Sequence, residues 1–194
     1  MLITSDFEVA APVDKVWQFF DDIPQVASCL PGTELTGQLG DSKYQGQVAV
    51  RMGPVKMQFA GTAEITERDE AAKREVIHAI GAEARGRGEA SMTVTATLER
   101  SGTGTKVGVT QDLHLSGAAA QYGRGMIADV TAVLMRDFAA NVTARIDAAE
   151  RGQSPEQVAS ATPAGGFSIG LRAALMALSR VFRRFFAPYQ PNPS

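Results

Sequence analysis

Residues 117–146 read GAAAQYGRGMIADVTAVLMRDFAANVTARI, and this stretch decides the fold because it predicts one long amphipathic helix. Apolar residues recur at every fourth position, namely at Tyr122, Met126, Val130, Leu134, Phe138, Val142 and Ile146. Charged residues such as Arg124, Asp129 and Arg136 fall mostly outside this stripe. One face of the helix should therefore contact water, and the other should lie on an apolar sheet.

Residues 33–115 predict that sheet. Turn signals at 40–42, 53–54, 68–70, 85–88 and 101–104 divide this segment into six strands. Tight turns indicate an antiparallel meander, because parallel strands would need crossover helices. Before it, residues 2–9 alternate like an opening strand, and two short helices are predicted around 12–20 and 24–30. The sequence therefore predicts an α+β fold, in which a curved antiparallel sheet wraps around a long helix.

The apolar face of the predicted strands combines small residues (Gly46, Gly61, Ala63, Ala90 and Ala96) with methionines (Met52, Met57 and Met92). A helix above such a face would leave space for a ligand, although small residues in an ordinary core would equally let the helix approach closely. On the first interpretation, leucine at 61 or phenylalanine at 96 should fill the space without unfolding the protein. The predicted ligand-binding residues are Val48, Val50, Met52, Met57, Phe59, Gly61, Ile77, Ala90, Met92, Val94, Ala96, Gln111, Tyr122, Met126, Ile127, Val130 and Leu134.

Signals for catalysis are weak in this sequence. His78 and His114 are the only histidines, and neither an HExxH nor a CxxC motif occurs. The single Cys29 has no evident base and is predicted to be a small buried residue of the second short helix. His78 or Gln111 could supply one polar contact inside the cavity. We therefore predict no catalytic residues, no metal ligands and no covalent cofactor.

The end of the chain has a different composition. Residues 149–166 are rich in Ala, Gly, Ser and Pro and predict a flexible linker after a domain at 1–148. Residues 167–187 predict an amphipathic helix with an apolar face and a purely cationic face, as interfacial membrane helices have. Packing on its own domain or on a partner protein is the alternative. The predicted membrane-binding residues are Phe167, Leu171, Arg172, Leu175, Leu178, Arg180, Phe182, Arg183, Arg184, Phe185 and Phe186.

The net charge and the N-terminal residues limit the partners and the location of the protein. The formal net charge is −2 and the pI is about 5.7, which argues against nucleic-acid binding. The N-terminal residues lack a basic region followed by an apolar segment, so no secretion signal is predicted. We expect a cytoplasmic protein that binds peripherally to the anionic inner face of the cell membrane.

Three segments carry a resemblance to a known family: FEVAAPVDKVW at 7–17, LPG at 30–32 after the cysteine, and AQYGRGMI at 120–127. With the order of the elements, they resemble the family of the CoxG subunit of carbon monoxide dehydrogenase, within the START-like (SRPBCC) superfamily, over about residues 1–147. The resemblance implies a helix-grip fold with an apolar ligand between sheet and helix. It also implies an accessory role beside molybdenum-containing CO dehydrogenases, and it assigns no catalytic residues.

The leading hypothesis combines these features into a carrier. It would take a respiratory quinone, or another isoprenoid or lipid, from the membrane to a soluble dehydrogenase. One alternative is a membrane-recruitment adaptor that binds no ligand. The other is a START-like enzyme of the cyclase or dehydratase type.

Overall fold

The computed structural model describes residues 1–152, so the predicted linker from 153 onward and the predicted tail helix lie outside the described residues. A 3-10 helix at Gly117–Gln121 precedes the last α-helix. The other elements are β1 (Leu2–Val9), α1 (Val13–Asp21), α2 (Ile23–Cys29), β2 (Thr33–Gln38), β3 (Lys43–Met52), β4 (Val55–Asp69), β5 (Arg74–Glu83), β6 (Glu89–Ser101), β7 (Gly104–Leu115) and α3 (Arg124–Glu150). The predicted α+β architecture and its six-stranded meander after α2 are confirmed.

The seven strands form one antiparallel sheet in the order β1-β7-β6-β5-β4-β3-β2. Each neighbouring pair from β2 to β7 is a hairpin, and β1 forms one edge of the sheet by pairing with β7. The tight turns allow this, as at Gly102, where φ is +59° and a side chain would be strained. The strand registers align the inward-facing residues of successive strands in rows across the concave face.

The predicted single helix at 117–146 is wrong at its start. Tyr122 and Gly123 are extended, with ψ of 124° and 151°, and they separate the 3-10 helix from α3. The reason is a contact with the β5–β6 turn, because the Ala118 amide donates to the Arg87 carbonyl at 2.6 Å. At its other end α3 continues to Glu150, so the first two residues of the predicted linker, 149 and 150, are helical.

The apolar core divides into two clusters along α3. The basal cluster packs the C-terminal half of α3 against α1, α2, β1, β6 and β7, and its buried members are Val9, Ala11, Val16, Trp17, Phe19, Phe20, Cys29, Leu98, Val107, Val109, Phe138, Val142 and Ile146. The apical cluster packs the start of α3 against β3 and β4, and its buried members are Met52, Met57, Phe59, Ala119 and Ile127. α3 is therefore held at both ends.

Candidate ligand-binding site

Between the two clusters lies a set of apolar side chains on the concave face that belongs to neither. Ala63, Ala79 and Met92 are aligned across β4, β5 and β6, and Ile77 lies beside them. Leu134 lies one helical turn from both Val130 and Phe138, on the stripe of α3 that these two residues define. All five are only partly buried. We call Ala63, Ile77, Ala79, Met92 and Leu134 the gap residues.

The predicted ligand-binding residues distribute over this arrangement. Nine belong to or pack against the apical cluster, namely Val48, Val50, Met52, Met57, Phe59, Ala90, Tyr122, Ile127 and Val130. Ile77, Met92 and Leu134 are gap residues, and Gly61 is partly buried on the same face. Val94 packs against the basal cluster, and Ala96 is buried beside it.

Met126 lies apart from the other predicted residues, because it is 43% exposed at the start of α3. A repeat of four residues drifts by about 40° per step on a helix with 3.6 residues per turn. Counting back from buried Phe138, the repeat has drifted by about 120° at position 126. Ile127 takes the inward position instead, so the prediction for Met126 is corrected.

Of the two predicted polar residues, Gln111 lies on the concave face. It is 7% exposed and lies opposite Val94 on β6 and Ile3 on β1. His78 lies on the convex face, where its Nδ1 is 3.3 Å from the Thr93 hydroxyl. Near Gln111, the buried Ser5 hydroxyl has no hydrogen-bond partner within residues 1–152. Of the two predicted alternatives, the structure therefore selects Gln111.

Two buried glutamates on β5 were missed by sequence reasoning. Glu83 is 4% exposed and accepts hydrogen bonds from the amides of Arg85 and Arg87 and from the Arg87 guanidinium. The side-chain hydrogen bond from Arg87 is the main reason that the pKa of Glu83 falls to about 2. Glu83 therefore holds the β5–β6 turn as a carboxylate. Alternation along β5 places Glu83 on the same face as Ile77, and this pattern could have identified it from the sequence.

Glu75 is the second buried glutamate, only 3% exposed at the basal side of the gap. Burial raises its pKa, and the positive charge of Arg68 opposes this shift. The Arg68 guanidinium is 3.4 Å from Oε2 of Glu75, an ion-pair distance without hydrogen-bond geometry. Arg68 also pairs with Asp21, and its Cζ is 5.4 Å from the centroid of the Trp17 ring. Arg68, which pairs with both Asp21 and Glu75, therefore holds the Glu75 carboxyl group beside the basal cluster.

Cys29 is completely buried in α2, as predicted. Burial raises the pKa of its thiol to about 11, which leaves it protonated and unreactive near neutral pH. Among the described residues, no group of three or more His, Cys, Asp or Glu side chains could hold a metal ion. No helix within residues 1–152 is long and apolar enough to cross a membrane.

The chain matches a model of a known protein family. The family model of CoxG, a subunit of carbon monoxide dehydrogenase, matches residues 6–147. This range includes β1 from Asp6 onward, all the other strands and most of α3. No curated protein matches the chain.

Solved structures similar to this chain share its fold. A conserved protein from Geobacillus kaustophilus has a TM-score of 0.68 at 20% identity and covers 76% of this chain and 95% of its own. The Zhui aromatase/cyclase from Streptomyces sp. R1128 has a TM-score of 0.59 at 15% identity, with 79% and 99% covered. Protein Ms6760 from Mycobacterium smegmatis has a TM-score of 0.53 at 20% identity, with 76% and 92% covered. At these identities the likeness shows the helix-grip fold of START-like (SRPBCC) proteins alone.

Proposed function

Because this chain belongs to the CoxG family of carbon monoxide dehydrogenase subunits over residues 6–147, we propose that it serves a molybdenum CO dehydrogenase-type enzyme as a non-catalytic carrier. In this proposal the domain binds a respiratory quinone between the sheet and α3. The 167–187 segment brings it to the inner face of the cell membrane. The family supports the accessory role, whereas the ligand and the membrane are the finer parts of the proposal.

The observation that carries the ligand proposal is the group of partly exposed gap residues between two packed clusters. Apolar surface left in contact with water costs about 25 cal/mol per Å² relative to burial. A ligand that covers these side chains would recover that free energy and would bridge the apical and basal clusters. A long apolar molecule suits this task, because the gap residues are spread over β4, β5, β6 and α3.

Two polar groups support a quinone over a plain hydrocarbon. The Gln111 amide lies on the concave face, and the Ser5 hydroxyl is buried without a partner within residues 1–152. Both groups can donate hydrogen bonds. A quinone carbonyl oxygen can accept them, and a buried donor gains most when its partner is otherwise absent.

The test is to fill the gap at Ala79, which faces Met92 and Ala63. We expect Ala79→Phe to lower occupancy by menaquinone or ubiquinone at least tenfold, measured by native mass spectrometry after incubation with quinone-containing vesicles. If the gap is open, the free energy of unfolding of the variant should lie within about 1 kcal/mol of the wild-type value. Overpacking a filled core would instead cost about 1–3 kcal/mol. When it is added to a CO dehydrogenase-type enzyme and membranes, the Ala79→Phe protein should no longer stimulate the reduction of quinone by the enzyme.

The matched control is Ala82→Phe, which adds the same side chain to the convex face of the same strand. It should leave both occupancy and stimulation unchanged. If wild-type protein takes up no quinone but still stimulates the enzyme, the chain is an adaptor and the carrier proposal is wrong. If neither occurs, the accessory role itself is contradicted.

One observation favours an enzyme as the second candidate, and it is Glu75. A buried carboxylic acid with a raised pKa can act as a general acid, and a similar structure is described as an aromatase/cyclase. Against this role, Glu75 faces Arg68 in an ion pair. Turnover of an aromatase or cyclase substrate that Glu75→Gln abolishes would favour this candidate over the carrier.

The tail is tested by deleting residues 167–194. Each arginine near an anionic leaflet contributes on the order of 1 kcal/mol, and salt screens part of it. With Arg172, Arg180, Arg183 and Arg184 removed together with the apolar face, binding to vesicles rich in phosphatidylglycerol should fall about 100-fold in a sedimentation assay. The thermal unfolding temperature should stay unchanged. A destabilised domain that still binds vesicles would show instead that the tail belongs to the core.

A further inference from the structure

Three parts of the chain meet at one end of the domain, which we call the apical end. They are the β3–β4 turn at 53–54, the β5–β6 turn at 84–88 and the start of α3. The Ala84 amide donates to the Gln58 carbonyl at 2.8 Å, which joins the second turn to β4. The 3-10 helix is bonded to the β5–β6 turn through Arg87, and the apical cluster joins Met52 to Ile127.

The apical end concentrates positive charge. Its exposed basic residues are Arg51, Lys56, Arg85 and Arg124. None of these four forms an ion pair within residues 1–152, whereas Arg87 beside them is neutralised by Glu83 at 2.9 Å. The exposed acid of the two turns is Glu89 at the start of β6. The end therefore carries an excess of cations that the described residues do not neutralise.

The unpaired cations of the apical end lower the stability of the fold. Arg51 and Lys56 lie directly opposite each other in the β3–β4 ladder, and like charges in that position are destabilising. Elsewhere in residues 1–152 most basic side chains are paired, as Lys43 is with Glu64 and Lys73 with Asp14, both at 3.0 Å. Because this pair of like charges lowers stability, a role in binding an anionic partner explains it more simply than a role in folding does.

The negative charge of the remaining surface favours an orientation in which the apical end faces an anionic surface. Residues 1–152 contain 15 Lys or Arg and 20 Asp or Glu, so the described residues as a whole are negative. An anionic surface repels most of this domain and attracts the apical end, over a range of about 8 Å at physiological salt. Met126, in the first turn of α3 with Arg124, is also exposed. An exposed apolar side chain at a cationic end of the domain is suited to the boundary between lipid headgroups and acyl chains.

We propose that the apical end is a second membrane-binding surface, carried by the domain itself, in which Arg51, Lys56, Arg85 and Arg124 contact the phosphates of anionic lipids. These four residues differ from those predicted to bind the membrane in the 167–187 segment. This surface is also independent of any quinone, because it consists of exposed residues outside the gap. Its consequence is a preferred orientation, in which the apical cluster and the start of α3 face the bilayer.

The experiment measures binding of the full chain, without quinone, to vesicles of equal parts phosphatidylglycerol and phosphatidylcholine. The variant Arg51→Gln/Lys56→Gln removes two apical charges, and we expect its partition coefficient to fall about 25-fold, since each cation near such a surface contributes roughly fivefold. The matched control is Arg100→Gln/Arg151→Gln, which removes two exposed arginines away from the apical end. The control should lose less than about threefold.

Equal losses in the two variants would overturn the proposal, because binding would then depend on total charge. An apical variant that binds vesicles like wild type would also overturn it. If that variant lost stimulation of a CO dehydrogenase-type enzyme, the surface would instead fit an acidic protein. Because no quinone is present, a failed quinone experiment leaves this result unaffected.

Discussion

Leucine at position 61 is expected to destabilise the domain strongly. A Cβ atom added to Gly61 would lie inside van der Waals contact of the Ile80 carbonyl oxygen and 2.6 Å from the Cα of Gly81. Both neighbours are backbone, and Gly61 is paired with Gly46 on its other side. The clash therefore cannot be relieved without breaking the β3-β4-β5 ladder. We expect a cost above about 3 kcal/mol and a fall of about 10 °C or more in the unfolding temperature.

The matched control is Gly40→Leu in the β2–β3 turn, where no atom lies within 4 Å of an added Cβ. It should unfold at the wild-type temperature, as followed by circular dichroism. A stable Gly61→Leu protein would contradict the β4–β5 register. The prediction also corrects the sequence-based expectation that leucine at 61 would only fill a cavity, because the space beside Gly61 is occupied by backbone.

Phe138→Ala should cause the second large loss of stability. Phe138 is 8% exposed, and its ring meets that of Phe7 edge-to-face with centroids 6.0 Å apart. It joins α3 to β1 within the basal cluster. Removing a buried phenylalanine side chain costs about 3–5 kcal/mol, because the contacts are lost and a cavity remains. The decrease in the free energy of unfolding is measured by urea denaturation.

The control on the same helix is Val133→Ala. Val133 is 47% exposed, and its truncation should change the free energy of unfolding by less than about 0.5 kcal/mol. If Phe138→Ala cost as little as this control, the C-terminal half of α3 would not be held by the basal cluster. The described position of α3 over the sheet would then be wrong.

Strand patterns predicted the concave face well where the two faces differed in polarity. On β4 and β6 the alternation is clear, and Met57, Phe59, Met92 and Val94 all lie on the predicted face. β5 lacks this contrast, because its inward residues include Glu75 and Glu83 while its outward residues include Val76 and Ile80. Hence the direction of His78 could not be decided from β5 alone. Its pairing with Thr93 on β6 decides it, since facing residues of paired strands share a side of the sheet.

The sequence by itself determined the number and order of the strands, the two short helices and the amphipathic character of α3. These depend on local alternation, turn residues and helical period, all of which are read within one element. Only the tertiary structure decided that α3 begins at Arg124 rather than at Gly117. It also decided that the core forms two clusters with the gap residues between them. These features depend on contacts between distant segments, such as Ala118 with Arg87, and no local period encodes such contacts.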